Sequence, residues 1–511
     1  MRKSTAVFNP CRCCGAAACG QSGVSRRNFL AGAGASTLLA PKAAVAQTKS
    51  GDPNRQQPIR KALKVQPVLM YQIPKRVPER SWRSWGGIQT AADLSGEQER
   101  IRRELAGMGT PFPMEVLPLA SVQTAEEGAK VAQGDHDVLL MYAAGNNVNV
   151  AEALTAPGKQ TLMFVRHRSG PVYLWYEIAH PRYLRKTVDE YGQPGMDSQD
   201  VVVDSHAEVL WRLRSFYGLK NTLGKTIVAV GGPSGWGTGG RKAAELARTI
   251  WKLDIRTVGY PELGERIKKA RQNDALVRQL NGKAEQYLKQ KGVTLRTARE
   301  SVTNSFVLTE VFRDLLDEAQ TDAITINQCM GTIMPLSQTS ACLPLSILND
   351  EGYMAFCESD FVVIPSGILM HYISGKPTFL NDPTYPHDGV VTMAHCTAPR
   401  KMDGEHDEPV QILTHFESDY GAAPKVDMRK GQRVTVLDPD FGGRDWVGFE
   451  GEIAENPFLP ICRSQVDATI DGNCDLLARE MKGFHWMLTY GGQLKEAAYA
   501  LKKNGIKLTR V

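Results

Sequence analysis

From residue 63 onward, the chain alternates short β-prone apolar runs with longer stretches in which apolar side chains return every three or four positions. Runs 64–71, 114–119, 137–142 and 160–165 predict strands. Stretches 97–108, with Ile101, Leu105 and Met108 at helical spacing, and 125–132 predict helices. A second series opens at residue 201, where a helix is expected over 204–217 with Val209, Leu210, Leu213 and Phe216 on one face. A strand at 226–230 and a helix over 241–251 follow, with further strands expected at 255–260, 323–327, 353–356 and 377–380. Strands that alternate with helices bury both faces of a parallel sheet, so the two series predict two α/β domains, 63–200 and 201–384. Near residue 385 the texture changes. Runs 410–416, 433–437 and 446–453 are short and separated by Gly, Asp and Pro, which predicts an antiparallel barrel or sandwich over 385–511, with a terminal helix at 494–504.

Within this layout, residues 357–399 gather the candidate chemistry. If 353–356 and 377–380 are the parallel strands of a βαβ unit, their carboxyl-end residues reach one edge of the sheet, where open α/β sheets bind ligands. Glu358, Asn381 and Asp382 are then expected at a common crevice, with His395 reaching it from the following run, 389–394. Pro233, Ser234, Glu262 and Gln328 follow the other strands and are expected along the same edge.

Charge and cysteines change the reading only at the amino terminus. Arg2, Lys3, Arg12, Arg26, Arg27 and Lys42 account for the whole formal charge of +6, and the chain after Ala46 holds 55 basic and 55 acidic residues. A nucleic-acid partner thereby loses its electrostatic support. Ser25-Arg26-Arg27-Asn28-Phe29-Leu30, a weakly apolar run and Ala44-Val45-Ala46 together resemble a twin-arginine export signal over 1–46. That resemblance implies a protein exported folded, to the periplasm or beyond, by the twin-arginine machinery. The apolar run is about half the roughly 20 residues a membrane span needs, so no stable membrane anchor is expected. Residues 47–62 read as a disordered linker. Cys11, Cys13, Cys14 and Cys19 lie in the leader; the six later cysteines show no CxxC spacing and read mainly as buried thiols.

Several motifs carry a family likeness: Cys342-Leu343-Pro344-Leu345-Ser346, Leu348-Asn349-Asp350-Glu351-Gly352, Cys357-Glu358-Ser359-Asp360, Asn381-Asp382-Pro383 after Gly375-Lys376-Pro377, Ala394-His395-Cys396-Thr397, and His415-Phe416-Glu417-Ser418. Together, over roughly 64–511, they resemble the L-fucose/L-arabinose isomerase family. The resemblance implies two Rossmann-like domains with doubly wound parallel sheets, a small C-terminal β-barrel domain, and assembly as a homo-oligomer. It also implies Mn²⁺- or Mg²⁺-dependent interconversion of aldose and ketose sugars through an enediol. Carried over by position, Glu358 matches the first metal-ligating carboxylate, His395 a histidine ligand and His485 the histidine supplied near the carboxyl terminus. The second catalytic carboxylate falls at Asn381, whose amide can ligate a metal but cannot act as a base. Asp382 is the adjacent carboxylate, and it faces the other way if the strand is regular.

The chemistry such a reaction needs is available in these residue types. A hard divalent ion held by carboxylate and imidazole polarises the carbonyl and hydroxyl, and a carboxylate moves the proton. The expected ligands are Glu358, Asn381, His395 and His485, and the expected catalytic groups Glu358 and Asp382. Ser234, Trp236, Gln328 and Asn381 are expected to touch the sugar, and Trp82, Trp85, Trp175 and Tyr176 are further stacking candidates. Gly235-Trp236-Gly237-Thr238-Gly239-Gly240 fits a G-x-G-x-x-G fingerprint with Glu262 downstream, which keeps a dinucleotide-dependent sugar oxidoreductase as a weaker alternative. Asn381 supports the first alternative, ahead of the oxidoreductase: a non-catalytic periplasmic sugar-binding protein on the isomerase scaffold.

Overall fold

The computed structural model describes residues 60–83, 86–145, 147–173, 184 and 196–511. The leader, most of the expected linker, and Trp85, Trp175 and Tyr176 lie outside the described residues.

The first sheet contains β1 (Leu63–Met70), β2 (Met114–Val116), β3 (Ala120–Val122), β4 (Val138–Ala143), β5 (Gln160–Val165) and β6 (Val201–Val203). Its order is β2-β1-β4-β5-β6 with β3 also on β1, and every pairing is parallel. All six residues of β4 are buried, as expected for a central strand covered on both faces. The second sheet is also parallel, in the order β11-β10-β7-β8. It joins β7 (Thr226–Val230), β8 (Asp254–Val258), β10 (Ala323–Ile326) and β11 (Met354–Phe356), while the intervening β9 (Val293–Leu295) pairs elsewhere.

The carboxyl-terminal part builds a closed antiparallel barrel of six strands. These are β12 (Thr378–Pro383), β13 (Val390–His395), β16 (Arg433–Asp438), β17 (Asp445–Glu455), β18 (Ser464–Thr469) and β19 (Trp486–Tyr490), numbered around two strands described below. They run β16-β19-β12-β13-β18-β17, and β17 pairs back with β16. Closure leaves no free edge in the ring. A last strand, β20 (Lys507–Arg510), adds to β17 in parallel.

The expected parallel strand at 377–380 is corrected here. It is the first part of β12, and it pairs antiparallel with β19, from Thr378↔Thr489 to Asn381↔Trp486, instead of returning to the second sheet. Thr378 to Asn381 are fully buried, as is all of β19, so the two apolar runs satisfy each other inside the barrel. A strand that follows a helix looks the same in sequence whether it rejoins its sheet or opens a new one. The expected barrel strand at 410–416 also goes elsewhere. It is β14 (Val410–His415), which lies between β15 (Tyr420–Val426) and β9 in a separate three-stranded sheet.

Helix Ile364–Ser374 links sheet to barrel and is buried on nearly every side, including His371. An apolar surface all round suits a helix packed between layers. Pro365 opens it, and Gly375, at φ +70°, ends it in the left-handed conformation that turns the chain into β12. Among the described residues no helix is long and apolar enough to cross a membrane.

Candidate metal centre

Glu358 leaves the carboxyl end of β11 in a turn that few sequences adopt. Glu358 and Ser359 both take left-handed φ values, +64° and +48°, without being glycine. Side chains disfavour this conformation, and it persists where surrounding contacts impose it. Those contacts are present: Ser359 N donates to Thr325 Oγ1 on β10 at 3.1 Å, and Ser234 N donates to Ser359 O at 3.1 Å. Phe361 N in turn donates to Ser234 O at 3.1 Å. The loop after β7 is thus stitched to the loop after β11, and the Glu358 carboxylate projects from the join.

The barrel supplies the facing side chains. Asp382 lies near the end of β12, His395 is the last residue of β13, and His485 immediately precedes β19. His485 Nε2 stands 3.2 Å from Asp382 Oδ1 and 3.4 Å from Glu358 Oε2, and His395 Nε2 stands 3.8 Å from Glu358 Oε1. Ligand atoms of Asp382, His395 and His485 all fall within 4.8 Å of one another, as do those of Cys357, Glu358 and His395. Both histidines are buried, whereas Glu358 and Asp382 keep 36% and 33% of their side-chain surface exposed. The cluster therefore has a closed histidine wall and an open carboxylate mouth.

Each ring is fixed from behind. His485 Nδ1 meets Asp360 Oδ2 at 2.7 Å, and His395 Nδ1 meets Thr397 Oγ1 at 3.1 Å. A carboxylate behind an imidazole holds the proton on the rear nitrogen and turns the front nitrogen's lone pair toward the site. Burial pushes His485 toward the neutral form, but the carboxylates of Asp360, Asp382 and Glu358 outweigh it and raise its pKa well above the ordinary value. His395 is raised as well, with burial opposed mainly by Glu358. Burial favours the neutral acid at Glu358, yet the two imidazoles hold its pKa below the carboxylate range.

Of the residues expected from sequence, Glu358, Asp382, His395 and His485 come together. Asn381 is fully buried, with Nδ2 on Phe379 O at 3.0 Å and Oδ1 without a partner, and it is Asp382 that meets His485. Ser234 is bound by its backbone to the Glu358 turn. Trp236 stacks on Phe484, centroids 4.6 Å apart at 21°, and presents an edge to His485 at 5.7 Å. Gln328 sits exposed and left-handed after β10, where its side-chain oxygen accepts from Thr332 rather than meeting the cluster. Trp82 lies under the guanidinium of Arg83.

Sequence reasoning assigned no role to Asp360, Cys357 or Phe484. Asp360 is fully buried two residues after Glu358, and a carboxylate closely following a ligand was its only signal. Phe484 is 43% exposed beside a histidine, and nothing in the sequence placed it opposite Trp236. Comparison with protein-family models and with curated proteins finds no match to this chain.

Proposed function

We propose that this protein is a divalent-metal-dependent sugar isomerase that interconverts an aldose and a ketose through an enediol. One observation carries the reading: two carboxylates and two imidazoles converge from β11, β12, β13 and the approach to β19, in two groups of close ligand atoms that share His395. Glu358 Oε2, Asp382 Oδ1 and His485 Nε2 are buried, and apart from the ion pairs they form with one another they have no hydrogen-bond partner. Groups so placed are costly to bury unless something else satisfies them, and a mixed carboxylate and imidazole set suits a divalent ion, for which Mn²⁺ is the one proposed. The residues present therefore fit a bound ion held by Glu358, Asp382, His395 and His485. Asn381 Oδ1, also buried and unpartnered, remains a candidate further ligand.

When bound, such an ion polarises the sugar carbonyl and the neighbouring hydroxyl. Glu358, kept ionised by the two imidazoles, supplies negative charge to the ligand set over a wide pH range. Asp382 at the open mouth takes the proton from C2 and delivers it to C1 while the C2 hydroxyl proton passes to the C1 oxygen, so the substrate regains the two protons it loses. Asp360 holds His485 in the orientation this needs. Trp236 and Phe484 form an exposed apolar wall against which a sugar face packs, and Ser234 offers a hydroxyl beside the Glu358 turn.

The strand orders support the finer fold reading. Counting β2 and β3 together, the first sheet runs 2-1-3-4-5 and the second 2-1-3-4 by order of appearance, an order of the flavodoxin-like kind among doubly wound sheets, which is what favours the Rossmann-like reading. In the second sheet the order reverses between β7 and β10, the strands followed by Ser234 and Gln328. Twin-arginine export and assembly as a homo-oligomer belong to the same proposal. The dinucleotide alternative has less support: a Cβ built on Gly235 meets Gly240 O at 2.3 Å, so the glycine loop closes on itself, and its Trp236 is committed to Phe484.

The test is to incubate aldopentoses and aldohexoses with manganese-loaded protein in D₂O and follow deuterium at C2 and ketose formation by NMR. Exchange with at least one sugar supports the isomerase. Saturable sugar binding without exchange would overturn it in favour of the binding protein, the reading that Asn381 at the second carboxylate position favours.

A further inference from the structure

Beside the candidate metal centre, four cysteines from distant parts of the chain form a continuous row. Cys342 and Cys396 are buried against each other and Ala423, and Cys462 packs against the same small cluster. Cys342 also interacts with Cys329, and Cys396 with Cys462, which gives the order 329, 342, 396, 462. The two end members are partly buried residues and the two middle ones are buried, so the ends of the row lie nearer solvent than its middle.

Backbone hydrogen bonds divide the row into two pairs. Ala341 N donates to Cys329 Sγ at 3.3 Å, which ties Cys329 to the residue preceding Cys342. Arg463 N donates to Cys396 Sγ at 3.4 Å, which ties Cys396 to the residue following Cys462. Thus each pair combines a partly buried thiol with a buried one, and a backbone contact already holds their segments together. Among the described residues, the groups of three close ligand atoms include none of these four sulfurs, and the only cysteine in them is Cys357. That arrangement suits pairwise bonding between sulfurs better than a thiolate-held metal.

We propose that the row is a redox modification site that forms two disulfides, Cys329–Cys342 and Cys396–Cys462. The co-reactant is a small-molecule disulfide. For each bridge, the accessible thiolate attacks a sulfur of the oxidant and releases one of its halves as a thiolate. The buried thiolate then attacks the mixed disulfide, closes the bridge and releases the second half. Two protein thiols lose two protons and two electrons, and one oxidant molecule becomes two thiols. Cys329 and Cys462, the members nearer solvent, make the first attack. Cys357 and Cys474 stay outside the row and remain reduced.

The experiment treats folded protein with oxidised glutathione, then denatures it and blocks remaining thiols with a maleimide. Intact mass gives the number blocked, and non-reduced peptide mapping gives the links. For the chain without its leader the expected result is two blocked thiols, Cys357 and Cys474, with links 329–342 and 396–462, and six blocked thiols after dithiothreitol. Cys329→Ser should remove only the first link and Cys462→Ser only the second, both in protein whose circular dichroism matches the parent. Six blocked thiols after oxidation, or a 342–396 link in the unsubstituted protein, would overturn the proposal. The readout is thiol chemistry alone, so it stands or falls independently of metal binding and isomerase activity.

Discussion

Asp360 Oδ2 lies 2.7 Å from His485 Nδ1, a contact that spans 125 positions of sequence and joins the loop after the second parallel sheet to the entrance of a barrel strand. Both side chains are almost wholly buried. The contact fixes which nitrogen of His485 faces the carboxylates, so the ligand geometry depends on a residue that does not itself reach the cluster.

Replacing that carboxylate should weaken the site without dismantling it. For Asp360→Asn the loss of manganese affinity should be about 10- to 100-fold, the usual scale for a partner behind a metal-bound histidine. Isothermal titration checks it, with circular dichroism confirming the fold. Unchanged affinity would show that Asp360 serves packing alone.

Asp382 and Glu358 should separate in their effects. Asp382→Asn keeps a ligating oxygen but removes the base, so it should retain the ion while kcat falls by about 10²- to 10⁴-fold. Glu358→Gln should weaken ion binding itself, because the charge held between the two imidazoles is lost. Parallel kinetics and metal titrations read both.

Metal affinity should rise with pH. His395 and His485 both have raised pKa values, and an ion must displace their protons to reach Nε2. Protonated rings compete at low pH, and the competition disappears only above the ordinary histidine range. Manganese titrations between pH 6 and 9 should therefore show steadily tighter binding with proton release on binding; a flat profile would contradict the ligand assignment.

Trp236→Ala should raise KM by about tenfold or less while leaving kcat nearly unchanged, and Trp236→Phe should recover most of the loss. An aromatic contact is worth about 0.5–1.5 kcal/mol, which sets that scale. The stack on Phe484 puts the ring at the site, and its 45% exposure leaves a face for substrate.

A buried carboxyl supports the His485 segment. Asp438, at the end of β16, accepts from Lys482 N at 2.7 Å and Gly483 N at 2.6 Å, and burial raises its pKa to about 7. The folded state then binds this proton more tightly than the unfolded chain, so the group's contribution to stability falls as pH rises from about 4 to about 7. Asp438→Asn should flatten that part of the stability–pH curve. Urea denaturation at pH 4.5 and 7.5 measures the change in slope.

Much of this arrangement was legible in the chain. The alternation of apolar runs indicated both parallel sheets, the short Gly- and Asp-punctuated strands indicated a barrel, Glu358 and His395 were singled out by residue type and position, and His485 by the family resemblance. The assignment of β12 to the wrong sheet has a physical reason. Periodicity reports burial and strand character but not the partner, and Thr378 to Asn381 are buried just as they would be in a parallel sheet. The same blindness to long-range pairing hid Asp360, whose importance comes from a histidine far along the chain, and Phe484, which matters because a loop from another sheet brings Trp236 onto it. The left-handed turn at Glu358 and Ser359 carried no sequence signal, since neither residue is glycine or asparagine.

Elemental analysis of the purified protein after incubation with manganese and dialysis, alongside Glu358→Ala and His395→Ala, decides whether the cluster holds an ion. The parent protein should hold one divalent ion per chain and both variants should lose it. An ion-free parent protein, or an ion retained in both variants, would contradict the metal centre.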